Sequence, residues 1–445
     1  MYNKYAMSKI TNDKNKNGNV KFPWFCNAVF MTVCFVARAF FRGKSIQSEA
    51  FKQAKKQGPM LVLCNHASAF DFVFFSPPFV GKKIAFVVAE NLLYSTPILA
   101  KLIKAAKEIT KKQYVVDLAC VRKIKKYIDS GISVALCPEG QSSNSGKSGL
   151  IPKANGKLMK FLGYPVAVCN TSGAGLTRPK WGYTGRLGKI VTKCDLLYTA
   201  EQVKTLSADE LHQGLVKALE FNDHIYQIEN NIIFKGRKYA EGLERVLYRC
   251  PKCGEEFKQV TFGNTLKCTN CDNEVYYSND GRLIPVGDDS VCPERIDIWY
   301  DEERELVKEE VKKDDFYLEH PAALFIEKPE ICNYRFITSG TVSMDKERLL
   351  FVSNSDVRPK NMVSEFGVSK FDFKLDTDGE TEPVEDELKK IEFALKNLES
   401  VDPNPGKALE LYDSAHSYRI AFTDQEASTK YALAIEELYK LRKGV

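Results

Sequence analysis

The chain has 445 residues, of which 44% are apolar and 27% charged, a composition that predicts two or three globular domains. Its thirteen cysteines show no secretory disulfide pattern and no cleavable signal peptide is visible, which excludes a small secreted scaffold and favours the reducing cytosol. The net charge of +6 is unevenly divided, because residues 1–200 hold 31 Lys and Arg against 9 Asp and Glu while residues 201–445 hold 33 against 49. The basic first half indicates an anionic partner, either a membrane surface, a phosphorylated substrate or nucleic acid, unless the two halves simply neutralise each other.

The amino-terminal region is expected to hold a leader and a membrane-associating helix. Residues 1–23 are polar and rich in Lys and Asn, and residues 24–45 contain an apolar run from Trp24 to Phe41 that includes Arg38. This run is about the minimum length of a membrane span. We favour a helix lying in the cytoplasmic leaflet and held by basic residues, so that the protein is cytoplasmic and peripheral or monotopic on an anionic membrane. A full span and a buried core helix are the alternatives.

Residues 46–245 alternate strand-like and helix-like runs, which predicts an α/β domain with a largely buried mixed sheet flanked by helices. Polar residues follow two of its apolar strands. Asn65 and His66 follow the run LVLC, and Glu139 and Gly140 follow the run VALC and a proline. Ligands of open α/β sheets bind at the carboxyl ends of the strands, so these two motifs are expected to face each other across one cleft.

The stretch LVLCNHASAFDFVFF, residues 61–75, places a histidine and an aspartate inside an apolar run. Either group costs free energy when it is buried without a partner. Positions five apart on a continuous helix are about 140° apart, so His66 and Asp71 can meet only if His66 lies on the loop before the helix. Such a pair is either a structural contact in a core or a general base held by a carboxylate.

The segment NHASAFD resembles the His-x4-Asp block of the glycerolipid acyltransferases, the 1-acylglycerol-3-phosphate acyltransferase family. CPEGQSS at residues 137–143 resembles the third block of that family, YPVAV at 164–168 the fourth, and EITK at 108–111 the second. The resemblance implies that His66 removes the proton of an acceptor hydroxyl while Asp71 fixes the histidine tautomer. The hydroxyl then attacks the thioester of acyl-CoA or acyl-carrier protein directly. Lysophosphatidate is the implied acceptor, and no redox cofactor is implied.

Two positions depart from the family's pattern, which has an arginine in the second and third blocks. Lys111, followed by Lys112, stands at the first position and Ser142 at the second. A lysine holds a phosphate as a point charge rather than as a bidentate fork, and Arg178 is the candidate for the missing guanidinium. Substrate binding is therefore assigned to residues of all these segments: Asn65, Lys111, Lys112, Glu139, Gly140 and Arg178.

Glu139 and Gly140 have distinct expected roles. Backbone N–H groups around Gly140 are candidates for stabilising the charge that develops on the thioester oxygen. Glu139 positions acceptor hydroxyls or its own loop, with a buried structural carboxylate as the alternative.

Other functions stay open at this point. The deviating phosphate positions leave glycerol 3-phosphate or another lysolipid as the acceptor. A non-catalytic scaffold that binds membrane lipids is the rival from a different class, although the intact set of His66, Asp71, Glu139 and Gly140 argues against it. Nucleic acid is not an expected partner, because no recognisable module combines basic residues with stacking aromatics.

Residues 246–290 are expected to form a zinc ribbon. Cys250, Cys253, Cys268 and Cys271 have the spacing C-x2-C-x14-C-x2-C, which closes a tetrahedral zinc site with four protein ligands. A site closed in this way is structural rather than catalytic. Iron in a rubredoxin-like site is the chemical alternative.

The last part of the chain is expected to be a helical linker followed by a β-rich domain. Residues 291–330 are the linker, and residues 331–445 are the domain, with strands at Lys370–Lys374 and Ser417–Phe422 and a final helix after Asp424. Residues 334–351 of this domain alternate, with turn signals at Ser339-Gly340 and Asp345-Lys346. Strands followed by one helix are similar to a small barrel of the pleckstrin-homology type. A protein partner is considered for these carboxyl-terminal modules.

Overall fold

The computed structural model has three parts: an amino-terminal α/β domain, a small β module that holds the two Cys-x2-Cys pairs, and a carboxyl-terminal β domain. Most of the expected leader and the expected strand at Lys370–Lys374 lie outside the described residues. The structure describes residues 20, 22–330, 333–359, 363–364, 381–413, 416–424 and 426–444.

The α/β domain is built on a seven-stranded mixed sheet, which confirms the expected fold class. Its strands are β1 (Gly43–Gln47), β2 (Leu61–Cys64), β3 (Ile84–Ala89), β4 (Ile109–Lys111), β5 (Ser133–Leu136), β6 (Val166–Ser172) and β7 (Ile190–Tyr198). They lie in the order β1-β7-β6-β2-β5-β3-β4. The strands from β6 to β4 are parallel, whereas β7 is antiparallel to β6 and β1 pairs parallel with β7.

Helices cover both faces of this sheet. Leu61 and Leu63 of β2 face a cluster that includes side chains from α5, α6 and α9, whereas Val62 and Cys64 face a cluster that includes side chains from α1, α2 and α3. Strand β2 is therefore wholly buried, as its continuous apolar run predicts. The helices are α1 (Trp24–Phe40), α2 (Glu49–Gln57), α3 (Phe72–Phe75), α4 (Pro97–Ala106), α5 (Leu118–Asp129), α6 (Ala154–Leu162), α7 (Ala174–Thr177), α8 (Ala200–Thr205), α9 (Ala208–Leu219) and α10 (Asp223–Glu229).

The expected membrane-associating segment, residues 24–45, divides between a helix and a strand. Helix α1 ends at Phe40, and Gly43 begins strand β1, because the following residues pair with β7. Arg38 turns toward the domain and donates from Nη1 to the Ser45 hydroxyl at 3.1 Å. Among the described helices, none combines the length and the apolar character that crossing a membrane requires.

The small β module and the carboxyl-terminal domain are antiparallel. The module has strands β8 (Gln259–Phe262), β9 (Thr265–Cys268), β10 (Glu274–Tyr277) and β11 (Leu283–Pro285), and helix α11 (Ile296–Glu310) follows it. The later elements are β12 (Leu318–Lys328), β13 (Asn333–Met344), β14 (Arg348–Ser353), β15 (Val357–Pro359), β16 (Val363–Ser364), β17 (Thr381–Pro383), α12 (Asp386–Lys389), β18 (Lys390–Ala394), β19 (Leu409–Tyr412), β20 (Ser417–Phe422) and α13 (Ala427–Lys443).

Two features of the carboxyl-terminal part differ from the sequence expectations. Strand β12 occupies residues that were expected to be helical linker, and β13 continues through Ser339 and Gly340, where the sequence suggested a turn. A Cβ on Gly340 would lie 2.1 Å from the carbonyl oxygen of Val352 on β14. This glycine therefore permits two strands to approach closely rather than permitting the chain to turn.

Candidate active site

His66 and Asp71 meet on the loop between β2 and α3. The Nδ1 atom of His66 lies 2.9 Å from Oδ2 of Asp71, and the same oxygen accepts the backbone N–H of Ser68 at 2.9 Å. Asp71 is buried, and burial raises the pKa of its carboxyl, whereas the hydrogen bond and the charge of His66 oppose that rise. Because Nδ1 donates to the carboxylate, Nε2 is the ring atom left to accept a proton.

The other histidines have different surroundings. Within the part of the chain that the structure describes, only His416 also has a carboxylate on a ring nitrogen, with Nδ1 3.3 Å from Glu327 Oε1. That pair lies on the carboxyl-terminal sheet, and the His416 side chain is 47% exposed. His66 is therefore the histidine that combines a buried carboxylate partner with a position at the end of a buried parallel strand.

Asn65 fixes the end of β2 against the end of β6. Its side-chain N–H donates to the Thr171 carbonyl at 2.8 Å, and its oxygen accepts the Thr171 backbone N–H at 2.7 Å. Asn65 is fully buried. Both polar groups of the side-chain amide are therefore hydrogen-bonded within the protein. Asn65 was predicted to bind substrate, but these contacts are suited to positioning the neighbouring His66.

Glu139 joins the third-block loop to the histidine loop. Its Oε1 accepts the backbone N–H of His66 and its Oε2 accepts that of Gly149, each at 2.9 Å. The side chain is buried, and burial raises the pKa of Glu139 to about 7, although both backbone hydrogen bonds favour the charged form. In this structure Glu139 holds its own loop against His66, which is one of the two roles expected for it.

We expect Glu139→Gln to change how the stability of the protein depends on pH. A carboxyl whose pKa rises from 4.5 to about 7 on folding contributes stability that is complete below pH 4.5 and is lost as the pH rises through 7. The full loss is about 3 kcal/mol. Urea unfolding of both proteins between pH 5 and pH 8, about the range in which the group titrates, should give a free energy of unfolding that falls more steeply for the wild type. Parallel curves would show that Glu139 stays ionised in the folded protein.

Gly140 has a conformation that favours glycine, with φ +79°, but its N–H is already used. It donates to the Cys137 carbonyl at 3.2 Å, and the Gly140 carbonyl accepts the side-chain amide of Gln113. A Cβ at this position would lie 3.4 Å from the Tyr114 ring. Of the backbone N–H groups around Gly140 that were expected to stabilise developing charge, its own N–H is therefore already hydrogen-bonded within the loop.

The expected cationic residues are spread over the site. Lys111 donates from Nζ to the Lys112 carbonyl at 2.9 Å, and Lys112 donates to the Asp413 carbonyl of the carboxyl-terminal domain at 3.3 Å. Burial lowers the pKa of Lys111. Strand β4, which ends at Lys111, is three strands from β2, or roughly 14 Å. Arg178 lies beside the His66–Asp71 loop, since its guanidinium lies 5.3 Å from the centroid of the Phe70 ring in that loop.

Asp223 and Lys180 also belong to the site but carry no local sequence signal. Asp223 is fully buried and accepts the backbone N–H of Gly173, directly after β6, at 2.6 Å and that of Gly175, in α7, at 2.8 Å. Burial raises the pKa of Asp223 to about 7. Lys180 lies above the third block, where its Nζ is 3.2 Å from Gln141 Oε1 and 3.3 Å from the Ser142 carbonyl. The partners of both residues are distant in sequence, which is why spacing does not reveal them.

The four cysteines of the β module lie together. Their sulfur atoms are all within 4.8 Å of one another, with Cys250 and Cys271 separated by 3.6 Å and Cys253 and Cys268 by 3.8 Å. A tetrahedral ion with metal–sulfur bonds of about 2.3 Å would place its sulfurs about 3.8 Å apart. The cluster could therefore hold a metal ion with four protein ligands.

Comparison with known proteins gives a family for the first domain. A family model described as Acyltransferase matches residues 45–170. Among solved structures, the 1-acyl-sn-glycerophosphate (LPA) acyltransferase PlsC from Thermotoga maritima is similar at 18% identity, over 44% of this chain and 78% of that protein, with a TM-score of 0.38. No curated protein sequence matches the chain. All four sequence blocks lie within the segment that the family model covers, so the chain carries an acyltransferase domain at residues 45–170.

Proposed function

We propose that the protein transfers a fatty acyl group from a thioester, acyl-CoA or acyl-carrier protein, to the free hydroxyl of lysophosphatidate. The observation that carries this proposal is the 2.9 Å contact between His66 and the buried Asp71, at the end of strand β2. A histidine oriented by a carboxylate in this way is suited to remove a proton from a hydroxyl. The basic amino-terminal half fits a phosphorylated acceptor and a phosphorylated donor.

The reaction needs no covalent intermediate with the protein. Nε2 of His66 takes the proton of the acceptor hydroxyl as the oxygen attacks the thioester carbonyl, and Asp71 stabilises the imidazolium that forms. The carbon–sulfur bond then breaks, and the thiolate leaves as a thiol with the proton that His66 held. Asn65 and Glu139 keep the histidine backbone in place through the hydrogen bonds to Thr171 and to the His66 N–H.

The experiment that tests this function measures thiol release from palmitoyl-CoA. Release that requires lysophosphatidate and yields phosphatidate would support it. Glycerol 3-phosphate and another lysolipid serve as alternative acceptors, and an acyl-carrier protein serves as the alternative donor. No transfer with any of these pairs would refute the acyltransferase function and favour a lipid-binding scaffold.

The surface of helix α1 supports peripheral attachment to a membrane. Phe30 of α1 packs on Phe72 of α3, and Phe41, the residue after α1, packs on Phe74, with ring centroids 5.7 and 6.1 Å apart, so α1 lies beside the helix that follows Asp71. Its outer face exposes seven large apolar side chains, which is typical of a helix lying in a membrane interface. These are Trp24, Phe25, Val29, Val33, Phe35, Val36 and Phe40.

We expect the double variant Phe25→Ser, Val36→Ser to bind vesicles of phosphatidylglycerol and phosphatidylcholine at least about tenfold more weakly. The two side chains are 81% and 63% exposed, so their loss leaves the core unchanged. Val260→Ser, Phe262→Ser is the matched control, because this pair is also exposed but lies on the β module. Co-sedimentation measures the binding, and equal binding of all three proteins would rule out α1 as the membrane contact.

The cysteine cluster is proposed to hold a structural zinc ion. Four thiolates are the ligand set of structural zinc sites, and they leave no coordination position for a substrate. The ion would tie the two Cys-x2-Cys turns together and so stabilise the module, without taking part in acyl transfer.

A further inference from the structure

The third block of this chain lacks the arginine of the family's pattern, and the structure places a different cation at that point. The Lys180 ammonium lies 3.2 Å from Gln141 Oε1 and 3.3 Å from the carbonyl of Ser142, the residue that stands where the arginine would be. Lys180 comes from the loop after β6 and α7, 38 residues further along the chain. Lys180 therefore places a positive charge beside the third block, although it belongs to another element of the domain.

Lys180 also lines the cavity next to the catalytic loop. The walls of this cavity include Ala67, which follows His66, and Ser143, whose backbone N–H donates to the His66 carbonyl at 2.8 Å. Trp181, the neighbour of Lys180, is buried and lines the same cavity. Lys180 therefore lines a small cavity whose wall also includes the residue that follows His66.

The partner of Lys180 is an aspartate of the carboxyl-terminal domain. Asp402 Oδ1 lies 2.6 Å from the Lys180 Nζ, and the two side chains are 15% and 12% exposed. The same oxygen of Asp402 accepts the backbone N–H of Asn404 at 3.0 Å, so the turn itself orients the carboxylate. Two residues earlier, the Ser400 hydroxyl accepts the side-chain amide of Gln141 at 3.2 Å.

We propose that Lys180 binds the phosphoryl group of the acceptor, and that Asp402 holds this ammonium until the acceptor displaces it. The inference rests on the proposed acyl transfer to a phosphorylated acceptor. A phosphomonoester carries about −1.5 to −2 charges at neutral pH and three acceptor oxygens, against one charge on Asp402. It therefore competes for an ammonium that is mostly shielded from water. Lys111 and Lys112 are less suited to this role, because strand β4, which ends at Lys111, is three strands away from β2.

The proposal makes Asp402 a built-in competitor of the acceptor. The carboxyl-terminal domain then sets the acceptor concentration at which the enzyme works, through one contact that breaks whenever acceptor binds. Binding of acceptor and the Lys180–Asp402 contact exclude each other, which a double-mutant cycle detects as non-additivity.

The test compares Lys180→Met, Asp402→Asn and the double variant in steady-state kinetics with lysophosphatidate. Lys180→Met should raise the acceptor KM by roughly 10- to 100-fold, because a hydrogen-bonded charge is lost. Asp402→Asn should lower it by roughly 3- to 10-fold, because the competing carboxylate is gone. The double variant should have the KM of Lys180→Met, since Asp402 has nothing left to compete for. The kcat and the KM for palmitoyl-CoA should change little in all three.

Two controls separate this role from a structural one. Asp301→Asn removes another aspartate that pairs with a lysine of the third-block loop, Lys147, and should leave the acceptor KM unchanged. Monoacylglycerol, which has no phosphate, should show no response to Lys180→Met. A higher acceptor KM for Asp402→Asn, or a change in the KM for palmitoyl-CoA instead, would overturn the proposal.

Direct binding distinguishes failure of this proposal from failure of the proposed function. Titration calorimetry with lauroyl lysophosphatidate gives the affinity of each variant without any turnover. If the wild type transfers no acyl group but Lys180→Met still weakens this binding and Asp402→Asn strengthens it, the anion site stands and the proposed reaction falls. If transfer occurs and both affinities equal that of the wild type, the Lys180 site is refuted and the reaction stands.

Discussion

His66→Ala should lower kcat for acyl transfer by at least ~10²–10⁴-fold, because it removes the group that takes the proton of the attacking hydroxyl. The fold should survive, since His66 is partly exposed and Asp71 keeps the Ser68 N–H as a partner. Burial already raises the pKa of Asp71, so the carboxyl can take up a proton once its histidine is gone. Thiol release from palmitoyl-CoA in the presence of acceptor measures the effect.

A second substitution keeps this test decisive if the alanine variant is unstable. His66→Gln retains a side-chain N–H that can face Asp71 but has no titratable nitrogen, so it should be as inactive as the alanine variant while keeping the fold. His416→Ala is the matched control, because it breaks the histidine–carboxylate contact with Glu327 on the carboxyl-terminal sheet. Unchanged turnover in a folded His66 variant would remove the general-base role.

Helix geometry predicts from the sequence where His66 lies if it contacts Asp71. A separation of five residues forbids contact on a continuous helix, so the histidine had to lie on the preceding loop, and the 2.9 Å contact is found there. The roles of Asn65 and Glu139 could not be predicted in the same way. Their partners Thr171 and Gly149 are brought to them by the approach of neighbouring strands and loops, which depends on the tertiary fold.

The positively charged residues of the site show that a position in a sequence motif does not by itself identify the contacts of a side chain. The second-block lysines lie at the positions expected, yet their ammonium groups face backbone carbonyls. The charge beside the third block comes from Lys180, which no spacing rule connects with Ser142. The sequence shows that Ser142 stands at the position of the family's arginine. That Lys180 lies beside Ser142 depends on the tertiary fold, and the sequence does not show it.

An element could be predicted where its sequence pattern has one structural explanation. It could not be predicted where the same residue type occurs for two different structural reasons. Strand β20 has the expected bounds Ser417–Phe422, because alternation over six residues is a strong signal. Gly340 was expected to mark a turn, but glycine also occurs where two backbones approach closely, and only the position of Val352 distinguishes these causes. The continuous burial of β2 followed directly from its apolar run.

Removal of the metal should unfold the small β module and abolish activity through the loop that carries Lys180. Tyr277 of β10 packs against Trp181 with ring centroids 6.3 Å apart, and both rings lie near the buried Arg186 guanidinium. Structural zinc contributes about 10–16 kcal/mol to the folding of small zinc modules. Loss of even a third of this would lower Tm by at least ~10 °C. Cys271→Ser should show this fall together with loss of bound zinc, which metal analysis and calorimetry measure.

The decisive comparison separates a structural metal from one that takes part in the reaction. Cys292→Ser is the matched control, because Cys292 belongs to the same region but lies outside the cluster of four sulfurs. Replacement of zinc by cobalt should give the absorption of a tetrahedral thiolate site while leaving kcat and both KM values unchanged, since four cysteines exclude the substrate from the metal. A change in kcat with the identity of the metal would contradict the structural role, and bound iron in place of zinc would identify a rubredoxin-like centre. If activity is lost when the module unfolds but not when its metal is exchanged, the β module acts on the reaction only by supporting the loop that carries Trp181.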